Sequence, residues 1–138
     1  MSTAVPQQPE RAFGLDRIGQ LAVIVQDPER ALRFYRDTLG MRLLFQAPPD
    51  LTFFDCGGVR VMLSRPEGLG AAGASSIVYY AVPDIHAAHD TLAARGVRFE
   101  ELPHVVAALP DRDVWMASLR DSEQNTLALM CEVPRAAG

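Results

Sequence analysis

The chain has 138 residues, of which 49% are hydrophobic, and its formal net charge is −4 at pH 7. Its 13 Lys and Arg residues are scattered, which argues against nucleic acid or an anionic membrane surface as a partner. No apolar run approaches the roughly 20 residues of a membrane span, and the first residues do not form a signal-peptide pattern. Two cysteines are too few for a disulfide framework. We expect one cytoplasmic domain with reduced thiols that binds neither nucleic acid nor membrane.

The composition along the chain predicts a flexible lead-in, one domain at residues 16–133 made of two modules, and a short tail. The lead-in is rich in Pro, Gln and small residues, and a Gly-, Ala- and Pro-rich stretch separates the modules. The expected bounds are 1–15 for the lead-in, 17–64 for the first module, 65–75 for the linker, 76–132 for the second module and 134–138 for the tail.

The first module begins with an apolar strand that stops at Asp27 and Pro28, an N-cap carboxylate followed by proline at the first helical position. Apolar residues then recur near every 3.6 positions up to Gly40, which predicts a helix with a left-handed C′ glycine. Three strands are predicted after the helix, at 41–46, 51–55 and 59–64, with a hairpin turn at Gly57 and Gly58. The order is β-α-β-β-β.

The second module repeats this pattern. A strand at 77–82 leads to Asp84, a helix is predicted over 84–95, and Gly96 ends it. Strands are predicted at 97–101, 114–119 and 126–131, and the segment 102–113 is expected to be a longer connection. Two copies of one unit are therefore expected.

Three segments carry a family resemblance: AVIVQDPERALRFYRDTLGMRLL, VPDIHAAHDTLAARGVRF and ASLRDSEQNTLALMCE. Together they resemble the vicinal oxygen chelate superfamily, which includes glyoxalase I, methylmalonyl-CoA epimerase, extradiol dioxygenases and the bleomycin resistance proteins. The resemblance spans residues 17–132. It implies an α+β fold of two βαβββ modules that form a cupped mixed sheet, with the ligand in the cup and commonly a homodimer.

In metal-dependent members of that superfamily, four side chains facing into the cup hold a divalent ion. The resemblance carries these positions onto Gln20, Met62, Ile77 and Ala128. Only Gln20 keeps an oxygen donor, whereas such an ion needs several oxygen or nitrogen ligands. We therefore expect no metal and no other cofactor, although a metal held by ligands elsewhere stays open.

Strand alternation adds three residues to the expected cup. In their strands, Arg60, Tyr79 and Ser118 lie on the same side as the positions that the resemblance assigns to metal ligands. Arg60 either meets an anionic group of the ligand or lies at the wet end of its strand, paired with a carboxylate such as Asp55. The predicted ligand-binding residues are Gln20, Arg60, Met62, Ile77, Tyr79, Ser118 and Ala128.

His104 is the candidate catalytic residue, since imidazole titrates near neutral pH. The alternative is a partly exposed loop histidine, and a new metal site built with Asp111 and Asp113 is a third reading. His86 and His89 are expected to be solvated residues of the second helix.

Two functions follow. One is a protein that binds a small organic molecule in the cup without metal, as the resemblance to bleomycin resistance proteins implies. The other is a lyase, epimerase or dioxygenase acting on a small carbonyl or anionic substrate, with His104 as acid or base. The sequence leaves open whether any reaction is catalysed.

Overall fold

The computed structural model describes Phe13, residues 18–65 and residues 76–135. The predicted lead-in apart from Phe13, almost all of the predicted linker and the last three residues of the tail lie outside the described residues. No helix in the described part of the chain is long and apolar enough to cross a membrane.

The elements of the first module are β1 (Gln20–Ile24), α1 (Pro28–Arg33), β2 (Arg42–Ala47), β3 (Leu51–Cys56) and β4 (Val59–Ser64). The α1 helix continues into a π-helical turn at Phe34–Thr38. The strands form a four-stranded sheet with strand order β1-β4-β3-β2, in which β1 runs parallel to β4 and the other pairs are antiparallel.

The elements of the second module are β5 (Val78–Ala81), α2 (Ile85–Ala94), β6 (Phe99–Ala108), β7 (Arg112–Arg120) and β8 (Thr126–Pro134). Its strands form the equivalent sheet, with strand order β5-β8-β7-β6 and β5 parallel to β8. The predicted α+β class and the two βαβββ modules are therefore confirmed.

The predicted connection at residues 102–113 is wrong. The strand expected at 97–101 is β6, which extends to Ala108 and forms a long hairpin with β7. Pro103 lies inside this strand, and it is tolerated because β6 is at the edge of its sheet. The β-branched pair Val105 and Val106 favours continued extension.

Both helices begin and end as their sequences predict. Asp27 accepts a hydrogen bond from the backbone N–H of Arg30 at 3.1 Å, and Asp84 accepts from two N–H groups of the first turn of α2, also at 3.1 Å. The φ angles of Gly40 and Gly96 are 74° and 92°, a region that glycine enters without steric cost.

The two modules share one hydrophobic core, which lies on the helix-covered side of each sheet. Tyr35, in the π-helical turn, is fully buried in this core. The buried residues of the first sheet include Val23, Phe54, Val61 and Leu63, and those of the second include Ala117, Leu119, Leu127 and Leu129.

Hydrogen bonds at the turn between β7 and β8 fasten the second module to the first. The Tyr35 hydroxyl donates to Asp121 at 2.7 Å, and the Asn125 side chain donates to the carbonyl of Ile24 at 2.9 Å. Glu123, whose side chain has no exposed surface, accepts from Arg30 at 2.7 Å. The modules are thus joined through their helix-covered sides, and the opposite side of each sheet is left uncovered.

Candidate functional site

The uncovered side of the first sheet, which we call the first open face, is built by alternate residues of its four strands. Strand pairing places Ala22, Met62, Phe53 and Phe45 side by side in one row. The Phe45 and Phe53 rings stack with their centroids 4.5 Å apart and their planes at 25°. This row is an apolar platform that crosses the whole sheet.

A polar row adjoins the platform. It consists of Gln20, Arg60, Asp55 and Arg42, again in pairing order. The Arg60 guanidinium lies 5.6 Å from the Phe53 ring centroid, within the range of a cation–π contact. The Asp55 pairing that the sequence left open does not form: no carboxylate among the described residues makes an ion pair with Arg60.

The uncovered side of the second sheet, the second open face, contains a depression of about 370 Å³. Four of the predicted ligand-binding residues line it: Ile77, Tyr79, Ser118 and Ala128. Tyr79 and Ile77 are exposed by 49% and 46%, which is a large apolar surface for two neighbouring residues. Ser118 donates a hydrogen bond to Glu101 at 3.3 Å, so the depression has one polar wall.

The structure divides the predicted ligand-binding residues into two groups. Gln20, Arg60 and Met62 lie on the first open face, where the Gln20 amide donates to the Met62 sulfur at 3.7 Å. The other four lie on the second open face. Because the modules are joined through the opposite sides of these sheets, one chain does not bring the two groups together.

His104 lies on β6 rather than in a loop. It pairs with Met116, whose other neighbour is Met130, so the backbone register places it on the second open face. Its Nδ1 is 2.7 Å from the carbonyl oxygen of Leu102, a contact that favours the tautomer with the proton on Nδ1. The side chain is exposed, and no further side-chain partner of His104 is found among the described residues.

The four positions that the resemblance assigns to a metal ion do not fit one. Gln20, Met62, Ile77 and Ala128 offer an amide, a thioether and two hydrocarbons, and the first pair and second pair lie on different open faces. In residues 18–65 and 76–135, no three His, Cys, Asp or Glu side chains are grouped closely enough to hold an ion. A metal site with Asp111 and Asp113 therefore has no support, since Asp113 pairs with Arg135 at 2.7 Å and Asp111 with Arg112 at 2.9 Å.

The histidines of α2 differ in exposure: His86 is exposed, as the sequence predicts, whereas His89 is partly buried, and each ring contacts an aromatic ring. His86 meets Trp115 edge-on with ring centroids 4.9 Å apart, and His89 lies 4.5 Å from Phe99. These contacts fix α2 to its sheet.

A separate groove of about 400 Å³ lies on the helix-covered side, between α2 and the residues Leu39 and Met41. Tyr80 borders it, and its hydroxyl is buried without a hydrogen-bond partner in the described part of the chain. Burial raises the pKa of Tyr80, and burial likewise raises the pKa of the nearby Cys56 thiol. Neither group is set up as a base or nucleophile at neutral pH, so we place the candidate site on the open faces.

Sequence reasoning missed the aromatic pair of the first open face. A bulge between Leu43 and Phe45 breaks the alternation of β2, so parity counted along that strand does not place Phe45. For Phe53 the signal was present, since it pairs directly with Met62. Glu101 and Met116 also border the depression of the second open face, and they were not selected although both lie in predicted strands and Met116 has the same parity as Ser118.

Two four-stranded sheets, each covered by a helix on one side and open on the other, define a protein of the paired βαβββ class. Residues 17–128 match the family model of the Glyoxalase/Bleomycin resistance protein/Dioxygenase superfamily. The chain belongs to this superfamily, which confirms the resemblance seen in its sequence.

Individual relatives are distant. The chain is 25% identical over 126 residues to the uncharacterized protein YraH of Bacillus subtilis (strain 168), a match that covers 80% of this chain and 94% of that protein. The structure is similar to TnmS3, an antibiotic binding protein from Streptomyces sp. CB03234, with a TM-score of 0.74, 22% identity and coverage of 90% and 100%. It is also similar to lactoylglutathione lyase from Agrobacterium tumefaciens, with a TM-score of 0.70, 20% identity and coverage of 86% and 95%. At this identity the structural matches establish the fold only, and they include both a binding protein and an enzyme.

Proposed function

We propose that this protein binds a small organic molecule on its open faces without a metal ion. The observation that carries the proposal is the donor set at the four inherited metal positions, where Met62, Ile77 and Ala128 supply no oxygen or nitrogen ligand. Of these positions, Ile77 is 46% exposed and adds apolar surface to faces that also expose Phe45 and Tyr79. An apolar wall with a few polar groups is the usual composition of a small-molecule site.

The proposed site is formed by two copies of the chain. The first and second open faces are on outer sides of the same molecule, so a ligand enclosed by both needs a second chain that lays its second face over the first face of its partner. Such a homodimer has two equivalent composite sites and covers exposed apolar surface in both chains. Both Cys56 and Cys131 are free thiols, and we place the dimer in the cytoplasm on that basis.

Metal content is the first test. Chelator-treated protein is titrated with zinc, nickel, manganese and iron(II), followed by elemental analysis and thermal unfolding. We expect less than about a tenth of an equivalent bound and no stabilisation, because binding to the native state alone would raise the unfolding temperature. Stoichiometric metal with a raised unfolding temperature would refute the metal-free site.

Subunit mixing tests the composite site. A ligand found by thermal-shift screening of a compound library is measured on Arg60→Glu, which damages the first face, and on Tyr79→Glu, which damages the second. Neither variant alone should bind it, while unfolding and re-annealing an equal mixture should restore about a quarter of the sites, because half of the dimers are mixed and each has one intact pair of faces. No recovery on mixing, or a monomer by light scattering, would contradict the dimeric site.

The enzyme hypothesis rests on one observation, the position of His104 on the second open face beside Met116. A single titratable group is less than the constellation that acid–base catalysis uses. The matched variants are His104→Ala and His89→Ala, the second on α2. Loss of turnover of a bound compound in His104→Ala alone, with affinity kept, would favour the enzyme over the binding protein.

A further inference from the structure

The first open face has two features that select a ligand jointly, an aromatic platform and a cation beside it. We infer that it takes a planar conjugated ring system bearing an anionic group such as a carboxylate, phenolate or sulfonate. The inference rests on the proposed binding function and names the class of ligand for that site.

The platform is preformed and rigid. Phe53 is almost buried, with 8% exposed surface, and it supports Phe45, which remains 46% exposed. The two rings stack with centroids 4.5 Å apart, and the exposed part of Phe45 on the open face is available to contact a ring of the ligand. Aromatic rings gain from stacking beyond the area they bury, and Phe loses little side-chain entropy on binding.

The cation is held at the edge of this platform. Arg60 contacts Phe53 through its guanidinium and forms no ion pair with a carboxylate of the described residues. By contrast, Arg65, Arg112, Arg120 and Arg135 each pair with an acidic side chain. A guanidinium covered by a ligand needs an acceptor, and a carboxylate matches its fork of donors.

The charge of the polar row favours an anion. The row contains Arg60 and Arg42 and a single carboxylate, Asp55, which lies between them in the strand order. Its formal charge is therefore positive, although the whole chain carries −4. Gln20, at the end of the row, adds an amide that hydrogen-bonds a carbonyl or hydroxyl of the ligand.

The spacing of the strands limits the size of the ring system. Arg60 lies on β4 and Phe45 on β2, two strand spacings apart, which is about 10 Å. A molecule that reaches Arg60 with its anionic group while lying on Phe45 therefore has two or three fused rings. A saturated anion would gain only the contact with Arg60, and a neutral aromatic compound only the platform.

Three probes of the same outline separate these contributions: 2-naphthoate, 2-naphthalenemethanol and decahydro-2-naphthoate. We expect 2-naphthoate to bind the wild-type dimer about tenfold more tightly than either of the others in calorimetric titration, since each comparison removes one interaction. Arg60→Met should abolish the preference for the acid over the alcohol, and Phe45→Leu the preference for the aromatic over the saturated acid.

The control variant is Arg33→Met, which removes an exposed arginine from α1, on the helix-covered side. It changes the net charge as Arg60→Met does and should leave all three affinities unchanged. Equal binding of the three probes, no binding of 2-naphthoate, or an equal effect of Arg33→Met and Arg60→Met would overturn the inference. The library screen decides the proposed function separately, because a hit of another chemical class would support binding while refuting this class of ligand.

Discussion

The carboxylate of Glu123 is the most sensitive point of the contact between the two modules, and we predict that Glu123→Gln destabilises the protein strongly. Its Oε1 accepts hydrogen bonds from the backbone N–H groups of Gln26 at 2.8 Å and Asp27 at 3.0 Å. Its Oε2 accepts from Arg30 at 2.7 Å and Ser122 at 3.1 Å. Glutamine keeps one acceptor for the backbone groups but turns an amide N–H₂ toward the donors of Arg30 and Ser122.

The size of the effect follows from the number of charge-assisted bonds lost. The Glu123 side chain has no exposed surface, while Arg30 is 52% exposed, so the arginine regains water and the glutamine does not. The lost charge-assisted bond from Arg30 and the buried amide N–H₂ of the glutamine, which is left without an acceptor, together cost about 2–3 kcal/mol. For 138 residues each kcal/mol lowers the unfolding temperature by about 3–4 °C, so we expect a decrease of about 6–12 °C at fixed protein concentration.

The same carboxylate makes stability depend on pH. Burial alone would raise the pKa of Glu123, but the bonds from Arg30, Asp27 and Gln26 outweigh it, and the pKa lies below its ordinary value. Its contribution is therefore complete above the pKa of the unfolded chain, about 4.3, and is lost as the pH falls through the lower pKa of the folded protein.

Thermal unfolding at pH 7 and urea unfolding between pH 7 and pH 3, both followed by circular dichroism, test this reasoning, with Arg30→Met as the matched variant. The difference in unfolding free energy between wild type and Glu123→Gln should become smaller as the pH falls below about 4.3, because wild type loses the contribution of the ionised carboxylate. Arg30→Met should cost less at pH 7, because it leaves the bonds from the backbone in place. A decrease below about 2 °C for Glu123→Gln, or a difference from wild type that is independent of pH, would refute the assigned role.

Three further changes probe the caps and buried groups. Tyr35→Phe removes the hydrogen bond to Asp121 where the two modules meet. It should lower the free energy of unfolding in urea by about 1–2 kcal/mol, with no change in secondary structure by circular dichroism. Asp84→Ala removes the N-cap of α2 and should cost about 1 kcal/mol, whereas an effect below about 0.3 kcal/mol would mean the cap is replaced by solvent. Because burial raises the pKa of Cys56, its alkylation by iodoacetamide at pH 7.5 should be slower than that of free cysteine, and faster reaction would show an activated thiolate.

Local sequence signals predicted most of the elements, because each was fixed by residues within a few positions. Asp27 and Asp84 mark the helix starts and Gly40 and Gly96 their ends through interactions inside one turn of chain. The extent of β6 was not predictable in this way. Pro103 suggests an interruption, and only its place at the sheet edge, set by pairing with β7, makes it compatible with a strand.

The joining of the modules was not visible in the sequence. Glu123 lies in a polar turn where a charged residue is expected to be solvated, and nothing local indicates that it meets Arg30, which is 93 residues away. Alternation put Tyr79 and Ser118 on the face of the second sheet to which the resemblance assigned Ala128, and all three residues line the depression there. It gave no information on whether that face meets Arg60 of the same chain, since this depends on which sides of the two sheets pack together.

The residues that pack the core are different from those that form the open faces. This difference explains why the motifs of this chain identify its superfamily and leave its chemistry open. The residues of the family motifs, such as Tyr35 and Asn125, lie in the shared core or where the two modules meet. The bonds from Tyr35 to Asp121 and from Asn125 to the carbonyl of Ile24 hold one module to the other. The positions that the resemblance assigns to a metal ion lie on the open faces, outside the shared core, so a substitution at Met62 or Ala128 leaves no cavity in that core. A change of residue on the open faces therefore costs the protein little stability. The first face has an aromatic platform and an arginine, whereas a metal site requires carboxylates and imidazoles.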